Sequence, residues 1–156
     1  MKKYVWTACL ILLAVYGCSK KDQGCMPVTP AAEEPQMKAY ATANGIIADK
    51  HSSGMYYQVI DSGMGATPNI NSKVYITYTG KLLNGSQFDQ ATDASTTGWT
   101  LGTLIEGWQI GLPLIKKGGR IKLIIPSSLA YGCNGAGGAI PSNAVLFFDI
   151  TLTDVK

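Results

Sequence analysis

The sequence predicts an α+β domain in which an antiparallel, curved β-sheet wraps around one short α-helix. Three observations predict it. Apolar residues alternate strictly at Val74, Ile76 and Tyr78, the period of a strand with one buried face. Asn84-Gly85 is the strongest two-residue hairpin signal available, and 18 glycines supply further turns. Among the strands only Ile105 to Ile115 reads as helix, so the helix sits within an antiparallel meander. A hydrophobic content of 46% against 15% charged residues provides for a packed core and excludes wholesale disorder.

The chain opens with a leader. Lys2 and Lys3 precede an uncharged, mostly apolar run from Tyr4 to Tyr16, short of the roughly 20 residues a membrane span needs. It ends in Val15-Tyr16-Gly17-Cys18 before the polar Ser19-Lys20-Lys21-Asp22-Gln23. This resembles the lipobox of bacterial lipoproteins, with Tyr16 where a small residue is usual, and implies a signal peptide over residues 1–17 and a lipidated Cys18. An ordinary secretory leader cut nearby and a retained anchor helix are the other readings.

Residues 18–53 read as a tether with a short helix. Pro27 and Pro30 stiffen a polar stretch, and removal of residues 19–32 is expected to leave the melting temperature almost unchanged. Glu33-Glu34-Pro35 opens the helix, with Pro in its first turn, and Asn44-Gly45 stops it. The domain proper spans residues 54–156. Its strands read as Gly54 to Ile60, Lys73 to Leu83, a return through Gln87-Phe88-Asp89, Trp99 to Leu101, Arg120 to Ile125, and Val145 to Thr153. Pro113 makes the helix brief, bent or ended there, and residues 131–144 form a Gly-rich loop.

Several chemistries are excluded. Without Lys2 and Lys3, 11 basic residues face 10 acidic ones, which leaves no electrostatic footprint for nucleic acid. Cys25, Cys133 and the single His51 lack metal-site spacing, and no cofactor is expected. An oxidising compartment permits a Cys25–Cys133 bridge, but Cys25 falls in a tail read as flexible, so the pairing stays open. No Ser/His/Asp grouping, phosphate loop or paired-carboxylate motif is present.

What remains is a set of aromatic residues beside turns. Val74-Tyr-Ile-Thr-Tyr-Thr-Gly80, Asn84-Gly-Ser-Gln-Phe-Asp89 and Leu101-Gly-Thr-Leu-Ile-Glu-Gly-Trp108 are followed by Lys117-Gly-Gly-Arg-Ile-Lys-Leu-Ile-Ile-Pro126. Leu129-Ala-Tyr-Gly132, Ile140-Pro141 and Leu146-Phe-Phe-Asp-Ile-Thr-Leu152 complete the series. In order and spacing they resemble the FKBP family of peptidyl-prolyl cis-trans isomerases.

The resemblance implies an FKBP-like fold and an apolar pocket. Trp108 would be its floor, Tyr78, Phe88 and Phe148 its walls, and Leu104 and Ile105 its rim, with Ile140 across from them. Asp89 and the Tyr131 hydroxyl would make polar contacts, and the Ile105 N–H would bind a substrate carbonyl. Without the resemblance, Trp108 and Phe148 read as core, Tyr78 and Tyr131 as amphipathic edge residues, and Asp89 as a turn or cap residue. The family usually has an aromatic where Thr97 stands, often an Arg around Asp93-Ala94-Ser95, and an aromatic or His at Ala136.

The implied function is a prolyl isomerase assisting the folding of exported proteins through their proline-containing polypeptides, with macrolide inhibitors as candidate ligands. The implied location is the cell envelope, lipid-anchored to a bacterial membrane, with the outer membrane, periplasm or surface as the expected place. A non-catalytic binding or chaperone module using the same pocket is the alternative.

Overall fold

The structure, a computed structural model, describes residues 24–156; the leader and Cys18 lie outside the described residues. In chain order its regular elements are α1 (Pro30–Ala43), β1 (Asp49–Lys50), β2 (Tyr56–Asp61), β3 (Lys73–Leu82) and β4 (Gln87–Ala91). They continue with β5 (Trp99–Thr100), α2 (Glu106–Gly111), β6 (Arg120–Ile125) and β7 (Leu146–Val155). All pairings are antiparallel, in the order β1-β2-β6-β7-β3-β4, with β5 added to β3. The expected curved sheet with a short helix is what the chain forms.

β3 is the axis of the site. Val74, Ile76, Tyr78 and Gly80 point into the core while Tyr75, Thr77 and Thr79 are half-buried on the other face. Asn84-Gly85 turns it into β4: Gly85 takes φ +91°, and the Asn84 side-chain oxygen accepts the Ser86 N–H at 2.9 Å.

α2 lies unusually close to the sheet. A Cβ on Gly107 would sit 2.5 Å from Ile125 Cγ2, and one on Gly111 2.7 Å from Leu123 Cδ1. Glycine at these two positions, one turn apart, lets the helix seat there without displacing Ile125 or Leu123. Trp108, between them, is carried into the core at 4% exposure. As expected of Pro113, the α-helix stops after Gly111, and a 3₁₀ turn over Leu112–Leu114 follows.

Both faces are buried where β6 ends and β7 begins, at residues 123–125 and 146–148, and there the sequence is a continuous apolar run; beyond them Lys122, Asp149 and Thr151 are half-buried on the outer face. Ile121, Leu123 and Ile125 face α2, whereas Ile124 and Phe147 pack with Tyr56 against Met37 and Ala41 of α1. Tyr40 packs on Phe147 with ring centroids 5.3 Å apart.

The N-terminal region departs from its sequence reading. α1 begins at Pro30, not at the acidic pair, because Thr29 caps it by accepting the Ala32 N–H at 3.4 Å. Pro35 therefore lies inside the helix, where it forgoes the bond to the Ala31 carbonyl. The stop at Asn44-Gly45 is as expected: the Gly45 and Ile46 N–H groups donate back to Thr42 and Ala41. Residues 24–29 are not a free tether. Cys25 is disulfide-bonded to Cys133, with their Cα atoms 5.2 Å apart, and Asn143 Nδ2 donates to the Met26 carbonyl at 3.1 Å. Burying α1 against the sheet carries this segment to the Gly-rich loop, a contact that local composition does not encode.

Candidate active site

At the open end of the sheet, above Trp108, lies a cavity of about 280 Å³. Its floor and walls are an aromatic stack. Trp108 stands edge-on to Tyr78 at 5.0 Å and to Phe148 at 5.1 Å, and Phe88 meets Phe148 perpendicularly at 5.6 Å. Such edge-to-face pairs are favoured by the ring quadrupoles and hold each ring at a defined angle. The stack depends on Gly80: a Cβ there would come within 2.8 Å of both Phe88 and Phe148. The Trp108 indole N–H is buried and meets no acceptor among the described residues.

Polar groups edge the cavity. The Tyr78 hydroxyl donates to Asp89 Oδ2 at 2.6 Å, and Asp89 Oδ1 accepts the Gln90 N–H at 2.8 Å, so the carboxylate is oriented from both sides. Burial, then the bond to Asp89, raises the Tyr78 phenol well above its ordinary value. Tyr131 is 39% exposed at the rim; burial and then the Asp89 charge raise its phenol too. Both tyrosines are therefore neutral donors at physiological pH.

The opposite rim is Leu104-Ile105. Gln109 Nε2 donates to the Leu104 carbonyl at 2.7 Å, fixing this corner from the helix behind it. Ile105 caps α2: its carbonyl accepts from Trp108 and Gln109, while its own N–H makes no backbone bond among the described residues. Among the described residues no cluster of His, Cys, Asp or Glu could hold a metal ion.

Tyr78, Phe88, Asp89, Leu104, Ile105, Trp108, Tyr131 and Phe148 thus all line one cavity. Ile140 stands outside the lining. Paired bonds with Ala136, at 2.9 and 3.0 Å, fold the Gly-rich loop on itself at Ile140, which is 7% exposed in the main core.

Trp99 and Thr103 also line the cavity, without having been assigned to it from sequence. Trp99 lies 6.2 Å from Tyr78 and is an aromatic wall beside the position where Thr97 had suggested a missing one. Thr97 itself is engaged elsewhere: its hydroxyl oxygen accepts the Ile76 N–H at 2.9 Å and donates to the Ala94 carbonyl at 2.7 Å. That bond pins the loop before β5 at the irregularity between Tyr75 and Ile76. The aromatic residue at 99, next to a turn, was the available signal.

A curved antiparallel sheet cupping an aromatic cavity, with oriented donors and no nucleophile–base pair among the lining residues, defines a binding-pocket domain suited to an uncharged apolar group. The family described as FKBP-type peptidyl-prolyl cis-trans isomerase matches residues 65–153, and the chain belongs to that family.

Escherichia coli FkpA, an FKBP-type peptidyl-prolyl cis-trans isomerase, is 45% identical over 106 residues, covering 67% of this chain and 39% of its own length. Its namesake from Aeromonas hydrophila is 39% identical over 139 residues, covering 88% of this chain and 50% of the relative. The chain thus spans half or less of the length of these curated relatives. The crystal structure of E. coli FkpA superposes with a TM-score of 0.69 at 39% identity, over 81% of this chain and 61% of that one. The peptidyl-prolyl cis-trans isomerase of Pseudomonas syringae pv. tomato gives 0.70 at 31% identity, over 82% and 93%.

Proposed function

We propose that this chain catalyses cis-trans isomerisation of X-Pro bonds in exported polypeptides. The observation that carries the reading is one cavity lined by Trp108, Tyr78, Phe88 and Phe148 and edged by Asp89, Tyr131 and the Ile105 N–H. Resonance sets the rotational barrier at roughly 18–20 kcal/mol, and uncatalysed X-Pro exchange takes tens to hundreds of seconds. A 10⁴-fold acceleration requires only about 5 kcal/mol, within reach of environment alone.

The aromatic floor would take the proline ring and strip water from its amide. The planar, charge-separated amide is disfavoured in that setting relative to the twisted one, in which nitrogen regains its lone pair. The Ile105 N–H would hold a carbonyl of the bound segment, and Tyr131 and the oriented Asp89 would favour the twisted geometry. Cavity size and apolar lining also make macrolide inhibitors candidate ligands.

A protease-coupled assay on proline peptides tests this: acceleration over background, abolished by peptides lacking proline, is expected. Absence of acceleration on several proline peptides would replace the enzyme with a binding or chaperone module using the same cavity.

We also propose attachment to the bacterial cell envelope through lipid on Cys18, on the strength of the leader that ends there. Replacing Cys18 with Ser should release the protein from membranes or leave it unprocessed. Unchanged mass and membrane partition would sink that proposal.

A further inference from the structure

Tyr131 is a polar group of the cavity carried on a segment that has neither a named strand nor an α-helix. The stretch from Ser127 to Asn143 contains two 3₁₀ turns, at Ser127–Leu129 and Gly132–Asn134, and glycines at positive φ at 132, 135, 137 and 138. Backbone of this kind has many accessible conformations and must be held from outside.

It is held by the N-terminal segment on both sides of Tyr131. Four residues before it, Ser127 gives its N–H to Glu33 Oε2 at 2.7 Å and its hydroxyl to Glu33 Oε1 at 2.6 Å. Both carboxylate oxygens are used, and both residues are buried, at 2% and 0% exposure. Two residues after Tyr131, Cys133 is bonded to Cys25, and at the far end of the segment Asn143 donates to the Met26 carbonyl. A carboxylate in such a place is retained at a desolvation cost, offset here by two charge-assisted bonds that fix direction as well as distance. These ties come from outside the family match, which begins at residue 65.

We infer that Glu33 is a positioning residue for Tyr131, and that with Cys25 it makes the N-terminal segment a working part of the isomerase site. The inference rests on the isomerase reading. A brace of this kind acts on the reaction through the placement of one hydroxyl. Breaking it therefore devalues Tyr131 specifically and leaves Asp89, carried by β4, as valuable as before.

The test is a double-mutant cycle in the full chain, with kcat and KM measured separately. In the parent, Tyr131→Phe is expected to lower kcat/KM by about fivefold or more. In Glu33→Leu, or in the Cys25→Ser/Cys133→Ser pair, kcat should already be lowered with KM within about twofold, and adding Tyr131→Phe should then cost less than about twofold. Asp89→Val should cost the same in every background, and Glu33→Gln, which can still pair with both Ser127 groups, should restore the Tyr131 step.

Amide exchange supplies a reading independent of turnover. Residues 130–143 should exchange at least about tenfold faster in Glu33→Leu, with β3 and β7 unchanged. Equal Tyr131 steps in parent and braceless chains, even with a lowered melting temperature, would reduce Glu33 to a structural contact and overturn the inference. Unchanged exchange would overturn it too. A parent chain with no acceleration is recognised without any variant; it ends the isomerase reading and this inference with it. Should Glu33→Leu fail to fold, the cysteine pair carries the same cycle.

Discussion

Asp89 is aimed before any peptide arrives, because the Tyr78 hydroxyl and the Gln90 N–H each hold one of its oxygens. Tyr131 is the complementary case, a neutral donor at the rim whose phenol is raised by burial and by the Asp89 charge. Removing the Tyr131 hydroxyl deletes one contact expected to be made mainly in the twisted state, so Tyr131→Phe should cost about 1–3 kcal/mol, roughly 5- to 150-fold in kcat/KM. Asp89→Val should cost at least as much, since it also leaves the half-buried Tyr78 hydroxyl without its acceptor. Steady-state rates on a proline peptide, with circular dichroism confirming the fold, check both. A Tyr131→Phe chain with parental kcat would remove Tyr131 from the mechanism. Trp108→Ala is a poorer probe, because a cavity in the packed stack lowers stability as well as activity.

α1 is held on the sheet by an apolar face and by a half-buried carboxylate with three partners. Glu34 pairs with Lys38 at 2.7 Å and Lys50 at 2.6 Å, and accepts the Tyr56 hydroxyl at 2.9 Å. Bonding to Lys38, then Lys50, then Tyr56 holds its carboxyl down at about 2, from 4.5. A depressed carboxylate stabilises the fold above its unfolded value and loses that contribution as pH falls through the folded one. The melting temperature of the parent should therefore fall between pH 4.5 and 2 more steeply than that of Glu34→Gln, with the gap between them constant above about pH 5. Parallel melting curves over that range would show that Glu34 does not brace the helix.

The elements themselves were legible wherever local chemistry decides. The Val74-Ile76-Tyr78 alternation, the Asn84-Gly85 turn and the Pro113 stop all describe what the chain does. At the start of α1 sequence and structure differ: Glu33-Glu34-Pro35 has the composition of a first turn, whereas Thr29 supplies the cap. Glu33 has the sequence context of a helix-start acid but is a buried acceptor for Ser127, 94 residues away. Trp99 was visible as an aromatic beside a turn, but its place on the cavity wall follows from β5 pairing with β3.

At the scale of the whole molecule, the N-terminal segment and the Gly-rich loop close a circuit that composition conceals. Pro and polar residues before α1 suggest a spacer that could be removed without effect. The bond from Cys25 to Cys133 instead closes a loop of 108 residues, and constraining so long a stretch in the unfolded chain stabilises the native state by about 2–5 kcal/mol. For a domain of this size that corresponds to a shift on the order of 10 °C in melting temperature. Replacing both Cys25 and Cys133 with Ser should therefore lower the calorimetric midpoint by about that amount, and reductant should do the same to the parent and nothing to the variant. Deleting residues 24–32 should lower it further, because Thr29 and Pro30, which start α1, leave with the bridge. The order of the three midpoints is the decisive measurement: parent highest, the cysteine variant lower, the deletion lowest. If the deletion melted with the parent, the segment would be the passive tether that its composition suggests, and the docking described here would be wrong.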